Sequence, residues 1–477
     1  MIGYIILAAA VAFFAVILIR TAMFKPKPVD YGAAEEIEFD KDAAVNSLGE
    51  LIKCKTVSRY SRDLEDEAEF EKLIDKLPVL FPNVVKTCTM QAMDDRALLF
   101  RWKGKKEGDP AVLMAHYDVV PVDEENWSHP AFEALIEDGV MWGRGTLDTK
   151  VTFNGVLSAA ENLIRQGFTP EYDIYFAFSG GEEVNGPGAG HIVEWFKQQG
   201  ITPSLVIDEG GAVVENVFPG VKQPCGVIGI AEKGMMNVEY TVRSEGGHAS
   251  APAPHTPVGV LAAACAKVEN HPFKCHFTKP MLEMFDTLGR YSTFVYRMIF
   301  SNLWLFGGVI DSLYKKKGGQ LNALLRTTVA FTQMTGSDAH NVIPPVATMV
   351  SNIRLNPEDS VASAKSYIEK TIANDRIQLR TFDCNEPSPI SRTDVKGWYT
   401  VRNAVANTWK GCIVAPYLMV QCSDSRHYGE ISDRVYRFSA CDMTDEERES
   451  IHGNNEHIRI ETIHRSVEFF MRVMKDC

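Results

Sequence analysis

The apolar run in Ala111–Pro121 (AVLMAHYDVVP) ends on His116 and Asp118, two positions apart and therefore on one side of an extended backbone. Further along come Asp148 in GRGTLDTK, the adjacent pair Glu182–Glu183 in SGGEE, Asp208 and Glu209 in VIDEGG, and His452 in IHGNNE. Imidazoles and carboxylates are what a zinc ion binds, and a carboxylate outside the ligand set can move protons. Of the HxD pair, His116 is expected to ligate, with Asp118 accepting its other ring N–H and fixing the tautomer. Adjacent glutamates point in different directions, so Glu183 is expected as a ligand and Glu182 as the base. Asp148 stands just before a helical stretch, where an N-cap is the plain alternative. Its two oxygens also suit it to bridging two cations. Asp208 is expected to ligate and Glu209 to shape the site. The set points to metal-assisted hydrolysis.

These groups must be carried by elements that bring distant residues together. Asp118 follows AVLMA, Glu182–Glu183 follow Ile174–Phe178, and Asp208 follows Leu205–Ile207. Short apolar runs alternating with helical segments read as parallel strands, and chemistry in such sheets gathers beyond the strands' carboxyl ends. Helices are expected over Ala43–Lys53, Leu64–Leu77 and Val151–Gln166, with strands over Ala97–Trp102, Tyr172–Ser179, Ser204–Asp208 and Val414–Val420. Apolar Ile460, Ile463, Val467, Phe470 and Met474 fall at helical spacing, which predicts a closing helix over Glu456–Lys475.

A chain of 477 residues exceeds what one core usually serves, so two domains are expected. A formal charge of −13 argues against nucleic-acid partners and against basic attraction to anionic lipid. Ten cysteines without CxxC spacing read as reduced thiols, most of them buried. GPGAGH after Asn185 lacks the lysine and spacing of a phosphate loop, which excludes nucleotide binding. Ile2–Ile19 is uncharged and apolar, with Arg20, Lys25 and Lys27 behind it. No basic residue precedes the run, which favours an uncleaved single-pass membrane anchor over a signal peptide. The flanking positive charges predict a cytoplasmic body. Val29–Glu38 reads as a linker.

AHYDVVP, GRGTLDTK, SGGEE, VIDEGG and IHGNNE together resemble the co-catalytic zinc amidohydrolases that include aminoacylase-1, acetylornithine deacetylase and carboxypeptidase S. LLRTTVAFT, HNVIPP and SDSRHY are most similar to the carboxypeptidase S and N-fatty-acyl-amino-acid hydrolase branch. The resemblance implies two zinc ions, with cobalt or manganese as substitutes. One would sit on His116 and Asp208, the other on Glu183 and His452, with Asp148 bridging and Glu182 as general acid/base. From spacing alone His427, His457 and His464 rival His452. The implied fold is α/β: a mostly parallel-sheet catalytic domain (40–232 and 375–477) with an inserted α+β sandwich lid and dimerisation domain (233–374); the transmembrane anchor read from the apolar run (1–24) precedes it.

The sequence supports the insertion independently. Val238, Tyr240 and Val242 alternate as in a strand with one wet face. A helix follows over Pro257–Asn270, strands over Ala323–Thr332 and Thr348–Leu355, and a helix over Val361–Ala373, after which Ile377–Phe382 is expected to rejoin the main body. His248 in EGGHASAP matches the family histidine that stabilises an oxyanion, in several relatives from the partner subunit of a dimer. That implies a homodimer through the lid. Asn341 matches its companion asparagine, and Arg354 the arginine that holds a substrate carboxylate, with a strand-face ion pair as its plain alternative. Asp424 and Arg426 in SDSRHY are expected to orient substrate or support the metals. Tyr291–Ile310, rich in Phe, Trp and Leu, reads as core packing, or as a wall for a long acyl chain at Trp304 and Phe306. The expected activity is cleavage of an amide next to a free carboxylate in short peptides. The alternatives are an N-acyl-amino-acid amidohydrolase and a membrane-tethered, non-catalytic binding protein.

Overall fold

The structure, a computed structural model, describes residues 1–32, 35–216 and 218–477; residues 33 and 34 of the expected linker lie outside the described residues. An eight-stranded sheet organises the catalytic part. Its spatial order is Thr89–Met93, Ala97–Trp102, Ile174–Ser179, Ala111–His116, Leu205–Val214, Val435–Met443, Cys225–Glu232 and Ile413–Met419. The central four strands, from Ile174–Ser179 to Val435–Met443, run parallel. Ala97–Trp102 is antiparallel to Ile174–Ser179, and the edge strand Thr89–Met93 is antiparallel to Ala97–Trp102. Strands Ala111–His116 and Ile174–Ser179 are buried along their whole length, as AVLMAH and IYFAFS foretell. Helix Lys150–Arg165 lies on one face with the closing helix Ile460–Asp476 packed against it. Phe469 and Phe470 of the closing helix are fully buried there, each contributing roughly 1.5–3 kcal/mol.

A second sheet of four antiparallel strands forms the insertion, in the order Thr328–Thr335, Val346–Leu355, Gly234–Arg243 and Ile377–Asn385. Helices Pro257–Asn270 and Val361–Ile372 cover its inner face, where Val238, Tyr240 and Val242 are buried. The sequence reading returned Ile377–Phe382 to the main body, but Ile377 pairs with Val242 and Phe382 with Asn237, so this segment is the sheet's edge strand. Its alternating, half-exposed pattern suits a strand with one wet face and not a central parallel one.

Between the lid's elements lie helices Lys279–Gly289, Phe294–Ser301, Leu303–Lys317 and Gly319–Leu325. Phe285, Phe300, Ile310 and Tyr314 share one buried cluster with strand Ile413–Met419, which bears out core packing for part of Tyr291–Ile310. Trp304 does something else. It is 58% exposed and stands edge-on against Phe13 of the N-terminal helix Ile2–Met23. Of the ten cysteines, all free, four are buried, so fewer thiols are shielded than the sequence suggested.

Candidate metal centre

Strand Ala111–His116 ends by placing the fully buried Asp118 beneath the SGGEE turn. The Asp118 carboxylate accepts from Ser58 Oγ at 2.6 Å and from the backbone N–H groups of Glu182 and Glu183 at 3.1 and 3.2 Å. Its backbone carbonyl lies 3.0 Å from His116 Nδ1, with the carboxylate at 3.4 Å. Asp118 thus fixes the imidazole and both glutamates together. Gly180 makes the turn possible, since a Cβ there would lie 2.7 Å from the Tyr117 ring.

His116 Nε2 and His452 Nε2 approach Asp148 from opposite sides. The first is 3.0 Å from Asp148 Oδ1 and the second 3.0 Å from Oδ2. His452 Nε2 also lies 3.1 Å from Glu183 Oε2. His452 adopts a left-handed backbone conformation (φ 60°), one that histidine enters more readily than most residues. The rival histidines are occupied elsewhere: His457 packs on Trp142, His464 on Phe39, and His427 lies under Gly190.

The geometry departs from the sequence reading at VIDEGG. Glu209 Oε1 lies 3.5 Å from His116 Nε2, whereas the Asp208 carboxylate accepts from Ser425 N–H at 2.9 Å. Both residues belong to the continuous strand Leu205–Val214, so their side chains leave on opposite faces and only one can meet His116. The expectation for Asp208 therefore passes to Glu209. Two further residues escaped the sequence reading. Glu456, the last residue of IHGNNE, is fully buried and pairs with Arg144 at 2.6 Å. It also accepts from the backbone N–H groups of Gly145, Leu147 and Asp148, so it holds the loop that presents Asp148. Ser58 is the other. Nothing in its local sequence marks it, whereas Glu456 carried the signal of lying inside a motif.

The electrostatics fit cations. Burial drives Glu182 well above the usual carboxylate range. Burial, then Asp148, pushes Glu209 up to about 8, and burial with Asp424 pushes Asp208 up to about 6. Asp148 and Glu183 hold His452 up to about 10. Acidic groups crowded out of water lack positive charge, which divalent ions supply. Ligand atoms of His116, Asp148 and Glu183 lie within 4.8 Å of one another, as do those of His116, Glu182 and Glu209. Imidazole and carboxylate are a donor set that suits zinc.

The profile of peptidase family M20/M25/M40 matches residues 112–476. The chain belongs to this family. It is a hydrolase with the family's mixed α/β fold and a largely parallel sheet. "Probable carboxypeptidase S-like 2" of Dictyostelium discoideum is 34% identical over 437 residues, covering 90% of this chain and 84% of that protein. Human "N-fatty-acyl-amino acid synthase/hydrolase PM20D1" is 32% identical over 465 residues, covering 94% and 92%. Among solved structures, the M20 family metallo-carboxypeptidase Sso-CP2 from Sulfolobus solfataricus superimposes with a TM-score of 0.66 at 16% identity, covering 91% of this chain and 98% of that one.

The remaining M20 expectations fall outside the cluster. His248 and Asn341 meet in a two-stranded ribbon of the lid, where His248 pairs with Val342 and Ala249 N–H donates to the Asn341 carbonyl at 2.9 Å. His248 is exposed, and its Nδ1 is bonded to Ser250 Oγ at 2.7 Å. Arg354 donates to Asn352 Oδ1 at 3.2 Å and faces Cys422 Sγ at 3.4 Å. Arg426, nearly buried, donates to the Ser423 carbonyl at 2.9 Å, and its Nε is unpartnered among the described residues. Asp424 accepts from Ser179 Oγ at 2.5 Å, at the end of the strand that delivers Glu182.

Proposed function

We propose that the chain is a di-zinc hydrolase cleaving the amide bond next to a free carboxylate, as a carboxypeptidase or dipeptidase on short peptides. His116, Asp148, Glu183, Glu209 and His452 are the proposed ligands, with cobalt and manganese as substitutes. One observation carries the reading: the two oxygens of Asp148 each meet one imidazole, which is the arrangement of a bridging carboxylate. Two cations there would activate a water and polarise the scissile carbonyl. Glu182, raised by burial, takes the water's proton as the water attacks and delivers it to the departing amine. Asp118 keeps Glu182 and His116 in register through its backbone and carboxylate bonds. His248, with Asn341 beside it, donates to the oxyanion once the lid or a second subunit brings it over the cleft. Its exposure supports the homodimer reading. Arg354 or Arg426 holds the substrate carboxylate.

Hydrolysis of N-acyl amino acids is the second reading, favoured by likeness to a relative named N-fatty-acyl-amino acid synthase/hydrolase over nearly the whole chain. A non-catalytic binding role is disfavoured by a complete ligand set with its base in place. Zinc-loaded protein assayed against dipeptides and N-acyl amino acids of graded chain length separates the first two. Dipeptide turnover at the higher kcat/KM supports the first reading, and a preference rising with acyl length replaces it with the second.

The N-terminal helix is proposed as a retained single-pass anchor with a cytoplasmic body. It has 22 residues, about 33 Å, which is sufficient to span. Its last turns are bonded to the body: Arg20 donates to the Ser301 carbonyl at 2.9 Å, and Asn302 Nδ2 to the Ile17 carbonyl at 3.4 Å. Polar contacts of this kind suit a permanent part of the fold.

A further inference from the structure

We infer that helices Phe294–Ser301 and Leu303–Lys317 dip into one leaflet of the bilayer beside the anchor, so that the body is seated in the membrane and not merely tethered to it. This rests on the anchor reading. The key juxtaposition is the edge-on contact of Trp304 with Phe13, ring centroids 5.9 Å apart. Phe13 lies two turns before Arg20, about 10 Å deeper along the helix axis. Arg20 and the following Lys25 and Lys27 mark the headgroup level, and half a hydrocarbon core is about 15 Å thick. An anchor that spans therefore carries Trp304 below the headgroups.

The surface around Trp304 is made for that depth. The exposed positions of Phe294–Ser301 are Phe294, Val295 and Tyr296, while Arg297 turns inward and donates to the Ser292 carbonyl. On Leu303–Lys317, Val309 and Leu313 are 62% and 57% exposed, and Asp311 is paired with Arg326. The exposed Ser312 hydroxyl bonds back to the Gly308 carbonyl, so it needs no water. Charge returns to the exposed face only at Lys315–Lys317. Trp304 lies about 17–20 Å of helix length before these lysines. The helix's polarity changes in the same sense as the anchor's. The opposite faces hold Phe300, Ile310 and Tyr314 in the core, so the pair is apolar on its outward side as well as its inward one. At the headgroup level Arg290 covers the Phe24 ring at 4.4 Å and donates to the Lys25 carbonyl, and Lys27 pairs with Asp286. The occupant that fits an uncharged surface continuous with an anchor and edged by lysines is a lipid leaflet.

The test uses the full chain reconstituted into vesicles of neutral and anionic phospholipid. A ketone-bearing residue carries a nitroxide at position 10, 309, 313 or 79, the last a lone exposed valine on helix Glu67–Leu80. Unchanged circular dichroism and hydrolysis confirm that labels at 309 and 313 leave the fold intact. Accessibility to oxygen above that to a water-soluble nickel chelate is expected at 10, 309 and 313, and the reverse at 79. Labels at 309 and 313 that behave like 79 while 10 is immersed overturn the leaflet contact and leave the anchor standing. Labels in water at all four positions overturn both. Shielding from both relaxants, with broadening that grows with protein density, assigns the patch to a second copy of the chain and overturns the proposal.

Discussion

The candidate metal cluster and the ribbon of the inserted domain contribute to one proposed reaction but are built in opposite ways. The cluster sits on the ends of buried parallel strands, and the packing of a whole sheet holds its carboxylates in contact despite their mutual repulsion. The ribbon that carries His248 and Asn341 is a pair of two-residue strands on the surface, held by a few backbone bonds. Groups that bind cations must be fixed before the cations arrive. A group that meets charge only in the transition state can be delivered by motion or by a second subunit. The difference predicts that damage to the cluster shows in metal content, and damage to the ribbon in turnover alone.

The base offers the strongest test of that division. Glu182→Gln keeps size and hydrogen bonding but cannot accept a proton, so kcat is expected to fall about 10²–10⁴-fold or more with both metals retained. Metal analysis beside steady-state kinetics checks it. Loss of metal with activity would make residue 182 a ligand and erase the distinction between Glu182 and Glu183. Next in size is Glu209→Ala, expected to release one metal equivalent, whereas Asp208→Asn should keep both. The opposite result would restore Asp208 to the ligand role proposed for its neighbour.

His248→Ala should then lower kcat by about 10²–10³ without altering metal content. Mixing it with Glu182→Gln checks whether the histidine crosses a dimer. Each variant is inactive in a different component, so recovered activity in mixed dimers shows delivery in trans. No recovery places the histidine over its own subunit's site.

How far the sequence could be read follows the same division. His116, Asp118, Glu182 and Glu183 end apolar runs, and a strand's end is visible in composition. The choice between Asp208 and Glu209 was not, because the strand runs on through both to Val214 and side-chain face depends on register. Glu456 could not be given a role either: its partner Arg144 lies 312 residues away, and only the fold shows that their meeting holds Asp148. Ile377–Phe382 carried the alternation of an edge strand, but alternation does not say which sheet owns the edge. Trp304 is ambiguous for a related reason, since an apolar surplus packs a core or walls an acyl chain with the same composition.

The smallest effect expected is at the junction between the two regions. Lys233 links the catalytic strand Cys225–Glu232 to the lid strand Gly234–Arg243, and its ammonium donates to the carbonyls of Ala323 and Arg326 at 2.9 and 2.8 Å. Burial, helped by Arg354, pushes it down from the ordinary 10.5 to about 7. A lysine lowered on folding binds fewer protons in the native state than in the unfolded state between those limits. Stability should therefore rise as pH goes from about 7 toward 10.5, and the penalty is fully present below 7. Lys233→Met removes that slope together with the lysine's burial penalty, but leaves two carbonyls unpaired, which costs about 1–3 kcal/mol. Denaturant unfolding of both proteins at pH 7 and 9 measures the difference. A slope unchanged in the variant would locate the titration elsewhere.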